Sequence, residues 1–206
     1  MNTKHYFGFA GKAIKKSCNL LLAAFCCLSM LSCDVLSGVA SFVNCKYEYA
    51  GLSNPGVAGI NLNNISNVQN LNAASLLKLT AGIMSGSLPM SFTVNVKAVN
   101  PNASAAQIAG LDWAIDLNSS NILSGTLNDK VSIPANGGET VIPFIVQTDL
   151  LALFKNESKD NILKFVNSLL NMGDSSSNIS LRIRPSVMVG GQKISTNFIT
   201  LTKNVK

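Results

Sequence analysis

Histidine and charge are scarce in this sequence of 206 residues. The only histidine is His5, and Asp, Glu, Lys and Arg together make up 13% of the chain. A single histidine excludes metal sites that are built from several histidines. The N-terminal region also lacks an apolar run of about 20 residues, the length that a membrane-spanning helix needs. Its uncharged stretch, residues 17–32, is shorter and contains Ser17, Asn19 and Ser29, so a permanent span is the weaker interpretation.

The N-terminal segment instead has the composition of a secretory signal. Lys4, Lys12, Lys15 and Lys16 are followed by the uncharged stretch over residues 17–32, which ends close to small residues. A basic start, a short apolar region and small residues at the break are typical of a cleaved signal peptide. The sequence therefore predicts that residues 1–32 are removed.

The break itself carries a more specific signal. Residues 30–33 read Met-Leu-Ser-Cys and resemble the lipobox of bacterial lipoproteins, with Met30 where leucine is usual and the expected small residue, Ser32, before Cys33. The resemblance implies that Cys33 carries lipid, while ordinary cleavage beside an incidental cysteine is the alternative. Since two acyl chains already give stable anchoring, we expect the membrane to be a partner. The expected location is the bacterial cell envelope, lipid-anchored at the outer membrane and facing the periplasm or the surface.

Removal of the signal changes what the composition implies. Four of the sixteen basic residues and none of the ten acidic residues lie in residues 1–32, so the remainder is nearly neutral and no nucleic-acid partner is expected. Of the five cysteines only Cys45 is left besides Cys33, which excludes a disulfide framework. Cys45 lies in an alternating run and is interpreted as a buried strand residue. Without His5, catalysis of the Ser-His-Asp or Cys-His kind is excluded, and we expect no cofactor and no metal.

The mature chain is predicted to be a lipidated tether, residues 33–41, followed by one domain over residues 42–206. Apolar residues alternate along residues 92–98, 111–117 and 141–146, and a hairpin with Gly190-Gly191 at its turn closes the chain. Short strands with regular turn signals predict an antiparallel β-sandwich. A turn is also predicted at residues 54–56.

Two segments have helical periodicity and are expected to pack on the sheets. Residues 73–84 carry a stripe that includes Leu76, Leu77 and Met84, and a second amphipathic stretch covers residues 159–172. Thr148 is the predicted cap of a short helix that begins at Leu150.

Residues 92–146 resemble the late embryogenesis abundant type 2 family, also called the WHy domain. The resemblance rests on an apolar strand that ends in Asn100-Pro101, on residues 111–117 around Trp113, and on residues 122–126 and 131–146. It is strongest over residues 92–201. It implies a mainly β protein, an immunoglobulin-like or fibronectin-like antiparallel β-sandwich with one or two packed amphipathic helices. It also implies no catalytic residues.

Charged residues on the predicted strands do not form a recognisable catalytic site. Asp112 and Asp116 face the same way, but at about 3.3 Å per residue they lie roughly 13 Å apart, too far for a glycosidase pair. They are interpreted as the solvated face opposite Trp113. Arg182 and Arg184 are interpreted as solvated charges that protect a strand, with an anion clamp as the alternative.

We therefore expect no enzyme, but a lipid-anchored envelope protein with a binding or scaffolding role, whose partner besides the membrane is an envelope protein. The alternative is a carrier of a lipid or other apolar ligand. Its cleft between helices and sheet would be lined by six side chains, Leu76, Leu77, Met84, Leu163, Val166 and Leu170. A carbohydrate-binding module would need exposed aromatic residues, whereas Tyr47, Tyr49 and Trp113 occupy core-facing positions. A hydrolase is the least supported class.

Overall fold

The computed structural model describes residues 42–65, 67–155, 158–172 and 178–201. The predicted signal peptide, Cys33 and the tether lie outside these residues. The described chain is mainly β, with three α-helices and antiparallel sheets. Its strands are β1 (Lys46–Val57), β2 (Ile60–Asn61), β3 (Pro89–Asn100), β4 (Ala106–Ile108), β5 (Gly110–Leu117), β6 (Ser120–Leu127), β7 (Val131–Ile133), β8 (Gly138–Asp149), β9 (Ile179–Val189), β10 (Gln192–Ser195) and β11 (Ile199–Leu201). Its helices are α1 (Ala73–Ser85), α2 (Leu150–Leu153) and α3 (Lys159–Leu170), with a 3-10 turn at Val68–Asn70.

The described strands form two main sheets and a small ribbon. The first sheet has the order β2-β1-β3-β8, and the second has the order β10-β9-β5-β6 with β11 also paired to β9. Strands β4 and β7 pair with each other. Every pairing among these strands is antiparallel.

Alternation along the central strands explains which face of each sheet is buried. In β3 every second side chain from Met90 to Asn100 is buried, while the intervening residues are half-buried or exposed. Side chains alternate across a strand, so one face of β3 packs inward and the other faces solvent. Trp113 of β5 stacks on Phe144 of β8, with ring centroids 5.2 Å apart, and this contact joins the two main sheets. Their buried apolar residues belong to one cluster with those of α3.

The hydrogen bonds of the buried Asn100 side chain explain why β3 ends in an asparagine before Pro101. Its side-chain amide donates to the carbonyls of Ser104 and Ile133, at 2.9 and 3.2 Å. Its Oδ1 accepts hydrogen bonds from the backbone N–H and the side-chain amide of Asn102. A fully buried carboxamide is tolerated because its hydrogen-bonding capacity is used.

The prediction of a turn at residues 54–56 is wrong. These residues lie inside β1, which shifts its register on β3 between Tyr49 and Leu52 and again between Ser53 and Gly56. Asn54 has a φ of 52° and so places a left-handed residue within the strand. Asparagine tolerates this conformation, and the result is a bulged strand rather than a reversal.

Two helix details also differ from the prediction. The cap of α2 is Asp149, whose carboxylate accepts hydrogen bonds from the N–H groups of Leu151 and Ala152, and not Thr148. Helix α1 forms where expected, from an Asn72 cap to Gly86 with a φ of 80°, but it buries a different face. Only Leu79 among its residues is fully buried.

Candidate functional site

A small apolar cavity lies between helices α1 and α3 and the first sheet. It encloses about 10 Å³ and has no polar lining. That space holds at most one water molecule, so no acyl chain fits while the helices keep these positions. Its lining consists of Val57, Leu62, Val68, Leu71, Leu79, Leu88, Ile162, Leu163 and Val166.

The structure brings together only part of the cleft that the sequence predicts. Leu163 and Val166 line the cavity. Leu170 instead borders a separate open groove beside Met172. Leu76, Leu77 and Met84 do not face the cavity side chains but are 47, 70 and 82% exposed. The six residues therefore do not line one cleft.

The exposed side of α1 follows from how the helix packs. Leu79 points inward, and Gly82 lies so close to the sheet that a Cβ built on it would be 3.0 Å from Leu88 Cδ1. Residues three and four positions apart share a helix face. Because the face with Leu79 and Gly82 packs inward, Leu77 and Met84 are directed outward. We call Leu76, Leu77 and Met84 the α1 outer face. Leucines occur on both sides of α1, which is why periodicity alone selected the wrong side.

Helix α3 packs as its periodicity predicts. Ser158 caps it by accepting from the N–H of Asn161, and its buried residues are Ile162, Phe165, Val166 and Leu169. Phe165 also contacts Phe154, with centroids 5.0 Å apart. The sequence interpretation did not single out Phe165, although its position beside Val166 on the same face was the available signal.

Charged side chains on the outer face of the second sheet form ion pairs. Arg184 donates from Nη2 to Asp112 Oδ2 at 2.9 Å, and Arg182 donates through Nε and Nη2 to Asp116. Phe198 lies against both guanidinium groups, 5.1 Å from Arg182 and 4.9 Å from Arg184. The interpretation of Asp116 as a solvated residue is wrong, because it is only 4% exposed.

These pairs keep both carboxyl groups ionised. The hydrogen bond from Arg182 lowers the pKa of Asp116, against a smaller opposing effect of burial. Burial alone would raise the pKa of Asp112, but hydrogen bonds from Arg184 and Thr126 and the charge of Lys193 lower it overall. Each carboxylate therefore has a cationic partner, and this arrangement stabilises the sheet rather than offering a general acid or base.

Cys45 is buried, as the sequence predicts, but it lies immediately before β1 and not in a strand. It is 8% exposed, and burial raises the pKa of its thiol. Since the thiolate is the reactive form, this environment disfavours nucleophilic chemistry. Within the described ranges, no group of three or more His, Cys, Asp or Glu side chains is arranged to hold a metal ion. In the same part of the chain, no helix combines the length and apolar character needed to cross a membrane.

Comparisons with known proteins give distant structural likenesses. No protein-family model and no curated protein matches the sequence. A crystal structure of a protein from Archaeoglobus fulgidus is similar at 14% identity and a TM-score of 0.34, covering 57% of this chain and 88% of that one. A solution structure provisionally described as a late embryogenesis abundant protein is similar at 13% identity and a TM-score of 0.35, covering 98 and 96%. The X-ray structure of structural genomics target SoR45 has 12% identity and a TM-score of 0.28, covering 78 and 85%.

The second of these likenesses loosely fits the family that residues 92–146 resemble. At TM-scores between 0.28 and 0.35, the three likenesses identify neither a common fold nor an activity.

Proposed function

We propose that this chain is a non-enzymatic, lipid-anchored protein of the bacterial envelope that binds an envelope protein through the α1 outer face. The observation that carries the proposal is the exposure of Leu77 and Met84, at 70 and 82%, beside the half-exposed Leu76. Large apolar side chains grouped on one helix face are typical of interaction surfaces. The lipid on Cys33 would hold that surface at the membrane.

We also infer an immunoglobulin-like or fibronectin-like β-sandwich. Support comes from the Trp113–Phe144 contact between two antiparallel sheets and from the family resemblance. A buried tryptophan between sheets is frequent in such sandwiches.

The tether favours a protein partner over the anchoring leaflet. The Asn44 side chain donates to Asn102 at the far end of β3, so the chain enters the domain there. Strand β1 then runs 12 residues to Val57, which lines the cavity beside α1. At about 3.3 Å per residue that is roughly 40 Å, whereas residues 34–41 span at most about 28 Å. The α1 outer face would therefore lie at the opposite end of β1 from the lipid attachment.

Site-specific photocrosslinking in the native host tests this proposal. A benzophenone amino acid would replace Leu77 or Met84, and Ile145 is the control because it is apolar and 67% exposed but lies on β8. We expect the same protein adduct from Leu77 and Met84, none from Ile145, and loss of the adduct when Leu76→Asp is added. Adducts of equal yield at all three sites, or none at α1, would contradict the proposal.

Carriage of an apolar ligand is a second candidate, favoured by the wholly apolar lining of the cavity beneath α1. Binding would require α1 to move outward, taking Leu79 with it. A Cβ built on Gly82 would lie 3.8 Å from Ala58 Cβ, the mean separation in disulfides. A Cβ at Gly82 would also lie 3.0 Å from Leu88 Cδ1 and 3.1 Å from the carbonyl oxygen of Ser87, so both would have to shift slightly.

The double variant Ala58→Cys/Gly82→Cys would therefore lock α1 when oxidised. If the chain is a carrier, a fluorescent fatty acid binds the reduced variant and not the oxidised one, and native mass spectrometry finds a lipid on the wild-type chain. Equal binding in both redox states, or no binding to the wild type, would exclude the carrier. Ala58→Cys alone is the control.

A further inference from the structure

An open groove lies on the outer face of the first sheet, at the end that adjoins α1. Its volume is about 690 Å³, within the range of small-molecule sites. We call it the outer groove; its main lining residues are Asn54, Asn61, Pro89, Ser91, Gln147 and Asp149.

The groove exists because of the irregular path of β1. Both register shifts of that strand precede Gly56, which pairs with Asn61 on one side and with Ser91 on the other. Ser91 pairs in turn with Gln147. The register thus places four residues in one row across four strands, in the order Asn61, Gly56, Ser91 and Gln147. Gly56 has no side chain and leaves a gap in the middle of this row.

The polar groups of this row are available for a ligand. Among the hydrogen bonds of the described residues, none involves the side chains of Ser91 or Gln147, and both residues are exposed. Asn61 uses Oδ1 to accept from the N–H of Asn63 at 2.7 Å, which leaves its amide hydrogens. The row therefore offers both donors and acceptors.

The described lining of the outer groove contains one charged residue and no cationic side chain. Its charged residue, Asp149, accepts hydrogen bonds from Ser87 Oγ at 2.6 Å and from the N–H of Leu151 at 2.9 Å. These hydrogen bonds hold the carboxylate in place as the cap of α2, and because the described lining contains no cationic side chain, it disfavours an anionic ligand. The ligand that fits is neutral and rich in hydrogen-bonding groups.

We propose that the outer groove binds a neutral oligosaccharide. Carboxamides and a hydroxyl in one row match the alternating donors and acceptors of sugar hydroxyls, and the Pro89 ring offers an apolar contact. A peptide that adds to this sheet would pair its backbone with an edge strand, β2 or β8, whereas the row of free side chains lies across the face of the sheet. Among the described residues no aromatic side chain lines the groove, so it lacks the stacking surface that a dedicated carbohydrate-binding module would need. We therefore expect weak affinity, with a Kd on the order of 1 mM. The proposal is independent of the α1 outer face.

Saturation-transfer difference NMR tests this directly, with the full chain in nanodiscs and chitotriose as the probe. Ser91→Leu fills the floor of the groove, and Gln147→Ala removes one amide. Gln107→Ala is the control, since it removes an exposed glutamine from β4. We expect the signal to fall at least threefold in each groove variant and to be unchanged in Gln107→Ala. Absence of signal above empty nanodiscs, or a signal that survives both groove variants, would overturn the proposal. The dispersion of the protein's amide spectrum shows whether each variant is folded.

Discussion

The indole of Trp113 lies over Gly125 on the neighbouring strand and stacks on Phe144 of the other sheet. Trp113 and Gly125 are directly paired across β5 and β6. A Cβ built on Gly125 would be 2.4 Å from Cζ2 of the indole. The absence of a side chain at this position is what allows Trp113 to reach the contact between the sheets.

Gly125→Ala should therefore destabilise the fold. The indole is held between Gly125 and Phe144 and cannot move without loss of packing, so overpacking should cost about 1–3 kcal/mol of unfolding free energy. Urea denaturation followed by the fluorescence of Trp113, the only tryptophan, measures this. Gly56→Ala is the matched control, because its Cβ would make an ordinary 3.4 Å contact with the carbonyl of Ile60. Equal stability of the two variants would contradict the assigned role of Gly125.

Asn100→Ala should be among the most destabilising single changes. It removes the side-chain amide that donates to the buried carbonyl of Ile133 and to the carbonyl of Ser104, and the Oδ1 that accepts from the N–H of Asn102. Each unsatisfied buried group costs about 1–3 kcal/mol. Asn95→Ala, which removes one hydrogen bond to Ser53 on the outer face of β3, should cost less than half as much. Thermal denaturation measures the loss of stability in both variants. Similar losses in Asn100→Ala and Asn95→Ala would contradict the role of the hydrogen bonds of Asn100.

The buried side of α1 can be tested by a pair of leucine truncations. Leu79→Ala removes a side chain that is 7% exposed and enlarges the cavity, so we expect a loss of about 2–4 kcal/mol. Leu77→Ala removes a side chain that is 70% exposed and should change stability by less than about 0.5 kcal/mol. Chemical denaturation of the two variants gives the comparison. A larger loss of stability in Leu77→Ala than in Leu79→Ala would show that α1 packs through the predicted stripe that includes Leu77.

Low pH should reduce the stability of the fold by protonating Asp116. Its pKa is lowered in the folded state by the hydrogen bond from Arg182. A carboxyl group whose pKa is lower in the folded chain than in the unfolded chain stabilises the fold. This contribution is complete above the unfolded pKa, near pH 4, and it is lost as the pH falls through the folded pKa. Asp116→Asn should therefore lower stability at pH 7 by about 2 kcal/mol and approach the wild type as the pH falls below the unfolded pKa and through the folded pKa of Asp116.

Denaturation curves at several pH values measure that convergence. Asp129→Asn is the control, because Asp129 is exposed in the loop before β7. A constant gap between Asp116→Asn and the wild type from pH 7 to pH 3 would contradict the ion-pair explanation.

Local patterns in the sequence predicted the regular elements and missed what depends on tertiary contacts. Alternation in β3 and helical spacing in α3 predicted both elements, since each buries one continuous face. The side of α1 could not be predicted, because leucines on both sides left the choice to the contact between Gly82 and Leu88. The outer groove was also missed, since it depends on which residues the bulges of β1 place beside Ser91 and Gln147.

The proposed function depends most on the lipid at Cys33, because the domain would hold a binding surface at a membrane. Metabolic labelling of the native host with radioactive palmitate, followed by isolation of the chain, tests this directly. We expect label on the wild-type chain at the mass of the processed protein, and no label on Cys33→Ala. Label that persists in Cys33→Ala, or a wild-type chain that takes up none, would contradict the account.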